Sequence, residues 1–170
     1  MNKQYLYYII FLCMELGLSG TCPAQSPICR LPEKAGDFTY TLASGKQGTL
    51  YALRSEWTLL YFYDPECEDC QALMKQLKAS KTLNRLIGEK RIQVLAVYPE
   101  DDTAVWLEQA EHVPQTWMNA YDRGAVIYTE GRYLITSLPA LYLLDRLKNI
   151  RLKTADAHEV ENELKLIDNK

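Results

Sequence analysis

The spacing of apolar residues changes along the chain, and each change marks an element. Residues 57–63, Trp-Thr-Leu-Leu-Tyr-Phe-Tyr, are a near-unbroken apolar and aromatic run, the pattern of a strand covered on both faces. Asp64-Pro65 stops it, because proline has no N–H to give to a sheet ladder. Beyond the stop, Leu73, Met74 and Leu77 follow Cys70 at i+3, i+4 and i+7, one face of a helix reaching Ala79. A second helical piece over 82–87 closes at Gly88, a natural C-cap. Residues 91–98 repeat the dense apolar pattern and predict another central strand. Asp101 or Asp102 then caps a helix with Val105, Trp106 and Ala110 on its inner side, ended by Pro114.

Residues 115–135 carry no clear period: Tyr121-Asp122-Arg123-Gly124 reads as a turn, and 125–133 fits either a strand or a short helix. After Leu138-Pro139, residues 140–144 predict a third apolar strand, 145–149 a turn and 150–153 a fourth strand. Asp156 and Glu159 fit a capping box that opens a last helix, with Val160, Leu164 and Ile167 on its buried face. Upstream of all these, 38–42 alternates, turns through 43–48 and resumes at 49–53, a hairpin pattern. The sum is a hairpin followed by strand–helix–strand–helix–strand–strand–helix. This predicts an α/β sandwich around one mixed sheet with an N-terminal hairpin extension.

Composition adds bounds. At 170 residues, 48% of them hydrophobic, the chain is long enough for one domain with its own core. A net charge of -3 argues against nucleic acid as a partner, which calls for a basic footprint. Residues 1–24 read as a signal peptide: Lys3 precedes an apolar stretch, and small residues at Cys22 and Ala24 offer cleavage before Gln25. A lipoprotein signal ending at Cys22 is the alternative. Residues 25–36 form an irregular lead-in, and 37–170 the domain. Export places the remaining thiols, Cys29, Cys67 and Cys70, in an oxidising extracytoplasmic setting, expected to be the periplasm of a bacterium. Cys29 has no obvious partner.

Cys67-Glu68-Asp69-Cys70 supplies the candidate chemistry. The first cysteine falls where strand hands over to helix, facing unpaired N–H groups and the positive end of the dipole, which favour a thiolate. The second lies one turn in on the buried side. Cys67 is therefore the candidate attacking sulfur and Cys70 the resolving one. The same spacing serves as half of a zinc site, but the other available ligands, Cys29, His112 and His158, lack ligand spacing, so no metal is expected. Four carboxylates, Asp64, Glu66, Glu68 and Asp69, crowd the pair. Each disfavours a hydrated thiolate about 4 Å away by up to about 1 kcal/mol. The helix terminus favours it by about 0.3–1 kcal/mol when exposed and up to about 2 when partly buried. Near-cancellation leaves a thiolate without special stabilisation and an electron-donating pair. Glu68 and Asp69 also have a plain reading as good first-turn helix residues.

This element order, with C-x-x-C at the first strand–helix junction and Pro139 opening the third strand, resembles the thioredoxin superfamily. The hairpin and export signal make it most similar to the extracytoplasmic TlpA/ResA-like branch. The resemblance implies a thioredoxin-like three-layer sandwich, a Cys67–Cys70 disulfide alternating with the dithiol, and a cis Pro139 against it. It also implies that the Leu138 backbone offers itself to an extended substrate segment. The buried acid that such proteins place six residues before the first cysteine is replaced by Tyr61, so Asp37 and Glu33 become the candidate proton acceptors. Trp117 and Tyr121 are the candidate exposed contacts near the site.

The function expected is an exported thiol–disulfide oxidoreductase reducing protein disulfides, without a cofactor. Its partners would be protein thiols and disulfides together with an upstream reductant. Membrane anchoring would follow only if the N-terminus is retained or lipidated. The alternative is a redox-inactive interaction module with a structural disulfide. A peroxidase is disfavoured, because no threonine precedes Cys67 to polarise peroxide.

Overall fold

A computed structural model describes residues 33–100, 102–131 and 133–169. The expected leader, Cys29 and most of the lead-in lie outside the described residues. The strands are β1 (Thr39–Leu42), β2 (Gln47–Thr49), β3 (Trp57–Phe62), β4 (Ile92–Tyr98), β5 (Met118–Tyr121), β6 (Ala140–Leu144) and β7 (Ile150–Thr154). The helices are α1 (Glu68–Ala79), α2 (Lys81–Gly88), α3 (Thr103–Glu108), α4 (Val126–Thr129) and α5 (Ala157–Asp168). Single 3-10 turns occupy Leu50–Ala52 and Ala110–His112. The strands form one mixed sheet in the order β2-β1-β5-β4-β3-β6-β7. β3, β4 and β5 run parallel, while β6 lies antiparallel between β3 and β7.

Strand parity divides the core into the two sides of this sheet. Leu59, Tyr61, Val94, Ala96, Leu141 and Leu143 face one cluster with Cys70, Leu77, Leu86, Trp106 and Leu164. That side is covered by α1, α2, α3 and α5. Leu60, Phe62, Leu95, Val97, Tyr142 and Leu144 face the other, packed under Phe38, Leu50, Ile127 and Tyr133. The sheet is thus the middle of three layers, and its central strands are apolar on both faces because both faces are covered. This is the thioredoxin-like α/β arrangement expected from the element order.

Local differences have local causes. The second arm of the hairpin is a strand only over Gln47–Thr49; Leu50 then turns into a 3-10 turn and buries its side chain in the core. Gly48 lies opposite Tyr40, and a Cβ there would come within 2.5 Å of the tyrosine hydroxyl. Gly88 remains helical, and the left-handed residue that ends α2 is Lys90, at φ 60. Asp102 is the cap of α3, its Oδ1 accepting from the Ala104 and Val105 amides. The stretch without a period holds β5 and α4, each four residues long, too short to display one.

The final helix separates burial from composition. Leu164 is fully buried and Leu166 is 59% exposed on the same element. Leu164→Ala is expected to cost about 2–5 kcal/mol and Leu166→Ala no more than about 0.5 kcal/mol. Urea unfolding of the two variants measures both.

Candidate active site

Sheet register assembles the site. β3 ends at Phe62, paired with Ala140 at the start of β6. The loop leaving β3 therefore carries Cys67 next to the segment that delivers Leu138 and Pro139. The Leu138–Pro139 peptide is cis. Cys67 and Leu138, both half-buried, pack on the cluster that contains Cys70. A groove of about 410 Å³ runs alongside, lined by Asp69, Leu73 and Gln76 of α1 and by Ser137, Leu138 and Pro139.

Cys67 is the N-cap of α1. Its extended backbone lets Sγ accept the Cys70 amide at 3.2 Å, the place a hydroxyl or carboxylate oxygen takes in most helices. Asp64 prepares this turn: its carbonyl accepts the Cys67 amide at 3.2 Å and its Oδ1 the Glu66 amide at 2.8 Å. Gln71 Nε2 closes the loop from within the helix, donating to the Pro65 carbonyl at 2.8 Å. Cys70 is fully buried, and both thiols are free. Burial, followed by the hydrogen bond with Cys67, pushes the Cys70 thiol well above its ordinary value, against the pull of a hydrogen bond from the Asp64 backbone. The pair therefore divides into an accessible sulfur in a field of amides and a protonated one behind it. Glu66, Glu68 and Asp69 are exposed, the last two in the first turn of α1.

Tyr61 is no proton acceptor. Its hydroxyl donates to the Cys70 carbonyl at 2.6 Å, and burial keeps it protonated. It stacks on Tyr63, with ring centroids 5.3 Å apart, and meets Trp117 edge-on at 6.3 Å. Tyr63 Oη and Trp106 Nε1 both donate to Asn119 Oδ1, at 2.8 and 3.0 Å. Trp117 is thus part of the wall behind the cysteines and only 6% exposed, and Tyr121 packs on Trp106, so neither is the exposed contact expected. Glu33 and Asp37 fail as acceptors for a topological reason. Glu33 pairs by its backbone with Ile150, at the end of the sheet away from Cys67, and Asp37 Oδ1 accepts the Tyr51 amide. Among the described residues no three His, Cys, Asp or Glu side chains are grouped to hold a metal ion.

The buried thiol has a signature in stability. Above the ordinary thiol value of 9.0, the unfolded chain loses the Cys70 proton while the native state keeps it. Fewer protons on the unfolded state mean stability falls as pH rises, and the contribution is complete only below that value. The buried tyrosines act in the same direction, but from their ordinary value of 10.0 upward. Urea titrations of the dithiol protein are expected to show loss beginning near pH 9.0, by up to about 1.4 kcal/mol per pH unit. In Cys70→Ala the loss begins only in the tyrosine range. Identical profiles would contradict a buried, protonated Cys70.

The AhpC/TSA family model matches residues 31–153. A thioredoxin-like protein from Bacteroides caccae is 36% identical with a TM-score of 0.78, over 81% of this chain and 50% of that one. This chain therefore spans half the length of that relative. The C-terminal domain of an uncharacterized protein from Bacteroides fragilis is 39% identical with a TM-score of 0.77, over 80% of this chain and 97% of that one. The thioredoxin domain of a thiol-disulfide oxidoreductase from Bacteroides vulgatus, at 18% identity and a TM-score of 0.71 over 81% of this chain and 97% of that one, is a likeness of fold alone. No curated protein matches in sequence. With the family model covering most of the chain and the site lying within the match, the chain belongs to the AhpC/TSA family.

Proposed function

We propose that this protein is an exported thiol–disulfide oxidoreductase that reduces protein disulfides through Cys67 and Cys70. The observation that carries the reading is the partly exposed Cys67 at the start of α1, its sulfur accepting the amide of a buried second cysteine, Cys70. Cys67 attacks a substrate disulfide, forming a Cys67–substrate bond and releasing one substrate thiolate. Cys70 then attacks Cys67 Sγ, closing the Cys67–Cys70 disulfide and releasing the second substrate thiol. An upstream dithiol returns the two electrons. The groove beside Leu138 and Pro139 suits an extended substrate segment, held by backbone hydrogen bonds from Leu138.

The reducing direction is supported by charge. Asp64, Glu66, Glu68 and Asp69 oppose a thiolate that the helix terminus favours, so the dithiol is not held back from giving up electrons. The carboxylate rim also favours substrates with basic surfaces around the disulfide. Export rests on the leader read at residues 1–24, with the domain following the 25–36 lead-in; anchoring would require that the leader is retained or Cys22 lipidated. No helix among the described residues is long and apolar enough to cross a membrane.

Trapping tests the reading. Cys70→Ala, mixed with a disulfide-bonded protein, is expected to accumulate a mixed disulfide at Cys67 that appears on non-reducing gels and disappears with dithiothreitol. Cys67→Ala should form none. Equal trapping by both variants, or trapping by neither, would point instead to an interaction module whose cysteine pair is structural.

A further inference from the structure

We infer that a cavity on a second face of α1, apart from the Pro139 groove, binds a small amphipathic carboxylate: an elongated organic acid with an apolar body and one anionic end. The site stands apart from the thiol chemistry, and its test does not use the cysteines. Helical phase divides α1 between two clefts. Asp69, Leu73 and Gln76 line the groove beside Leu138 and Pro139. Gln71, Met74, Lys75 and Lys78, at i, i+3, i+4 and i+7, share another stripe and line a cavity of about 450 Å³. The rest of its lining comes from the turn after α3, with Gln109, His112 and Val113, and from the end of β3, with Tyr63, Asp64 and Pro65.

Charge separates with the clefts. Asp69 and Asp156 line the groove, whereas Lys75 and Lys78 line the cavity. Among the described residues neither lysine has a carboxylate partner. Lys75 makes no hydrogen bond, and Lys78 Nζ reaches only the His112 carbonyl, at 3.5 Å. Lys78 stands in the last turn of α1, where the helix dipole favours a cation, but Lys75, a turn earlier, has no such reason to be there. Between the two sets of polar groups lie Tyr63, Met74 and Val113, side chains otherwise buried in the core. Unpaired ammonium groups beside an apolar lining match an anion that carries hydrocarbon.

The single acid of the lining, Asp64, sits at the other end. Gln71 Nε2 donates to the Pro65 carbonyl at 2.8 Å, which places Asp64-Pro65 beside the first turn of the stripe. Asp64 Oδ1 is already engaged by the Glu66 amide. Lys75 and Lys78 lie one and two turns beyond Gln71, about 6 and 10 Å along the axis. This polarity orients the ligand. Its carboxylate meets Lys75 and Lys78 in charge-assisted hydrogen bonds, and its body runs over Met74 and Val113 toward Pro65. The volume is that of a small-molecule site; a lone acidic side chain from a docking protein would fill only a small part of it.

The test uses three ligands that share one phenylbutyl body and differ in charge: phenylbutyrate, phenylbutanol and phenylbutylamine. Binding to the full chain is followed by calorimetry and by the isotope-labelled methyl signals of its methionines. Met74 lines the cavity and Met118 does not, so the pair reports where the ligand sits. Lys75 and Lys78 are exposed, so replacing either with glutamine leaves the core untouched.

Phenylbutyrate is expected to bind with a Kd of about 1 mM or lower, about tenfold more tightly than the alcohol, with the amine weakest. It should shift the Met74 methyl and leave Met118 in place. Lys75→Gln and Lys78→Gln should each weaken the carboxylate about two- to fivefold without changing the alcohol, and added salt should weaken the carboxylate alone. Equal affinity for the three ligands, an unchanged carboxylate affinity in both lysine variants, or no binding at about 10 mM overturns the assignment. A shift at Met118 without one at Met74 overturns it as well, by placing the ligand elsewhere.

Discussion

One hydrogen bond organises this molecule: the Cys70 amide donating to the Cys67 sulfur at the first turn of α1. A helix start leaves amides without partners, and a sulfur that caps them sits in a field favouring negative charge. The cap has to sit where β3 ends, because only there does a fully buried strand release the chain beside the segment carrying Pro139. Asp64-Pro65 stops the strand, the Asp64 carbonyl and carboxylate shape the turn, and Tyr61 ties the first turn of α1 back to the sheet.

The same placement separates two chemically identical side chains. Three residues of helix carry Cys70 from the rim into an apolar cluster with Leu73, Met74 and Leu77, whereas Cys67 stays at the rim. Burial costs a thiolate far more than it costs a thiol, so the inner cysteine holds its proton while the outer one stays partly exposed. The aromatic wall of Tyr61, Tyr63, Trp106 and Trp117 sets how dry the inner position is. The polar tips of Tyr61, Tyr63 and Trp106 are satisfied internally, at Asn119 and the Cys70 carbonyl, leaving them little capacity for proton traffic.

Much of this was legible in the chain itself. β3, β4 and β6 announce themselves by density, since a strand covered on both faces has no polar side to show. α1 and α5 show a helical stripe over three turns, and the two cysteines follow from the phase of the first stripe. What escaped is set by tertiary contact. β5 and α4 are too short for any period. Trp117 reads as exposed because it lies in a polar stretch, yet its ring is buried against Tyr61. Lys90 rather than Gly88 takes the left-handed turn after α2, because the helix runs through the glycine. Asp64 looks like one of four equivalent acids until the fold ties its carboxylate and its carbonyl into the turn before α1, while Glu66, Glu68 and Asp69 stay in water.

The central claim is that two thiols at the mouth of one helix exchange electrons without disturbing the fold around them. A redox titration of the folded domain in glutathione buffers tests it most directly, with thiol content and near-ultraviolet circular dichroism followed together. The account predicts one reversible two-electron transition involving Cys67 and Cys70 alone, with the tertiary signal of the aromatic wall preserved in both forms. A pair that stays oxidised in excess reduced glutathione, or whose opening unfolds the domain, would contradict it.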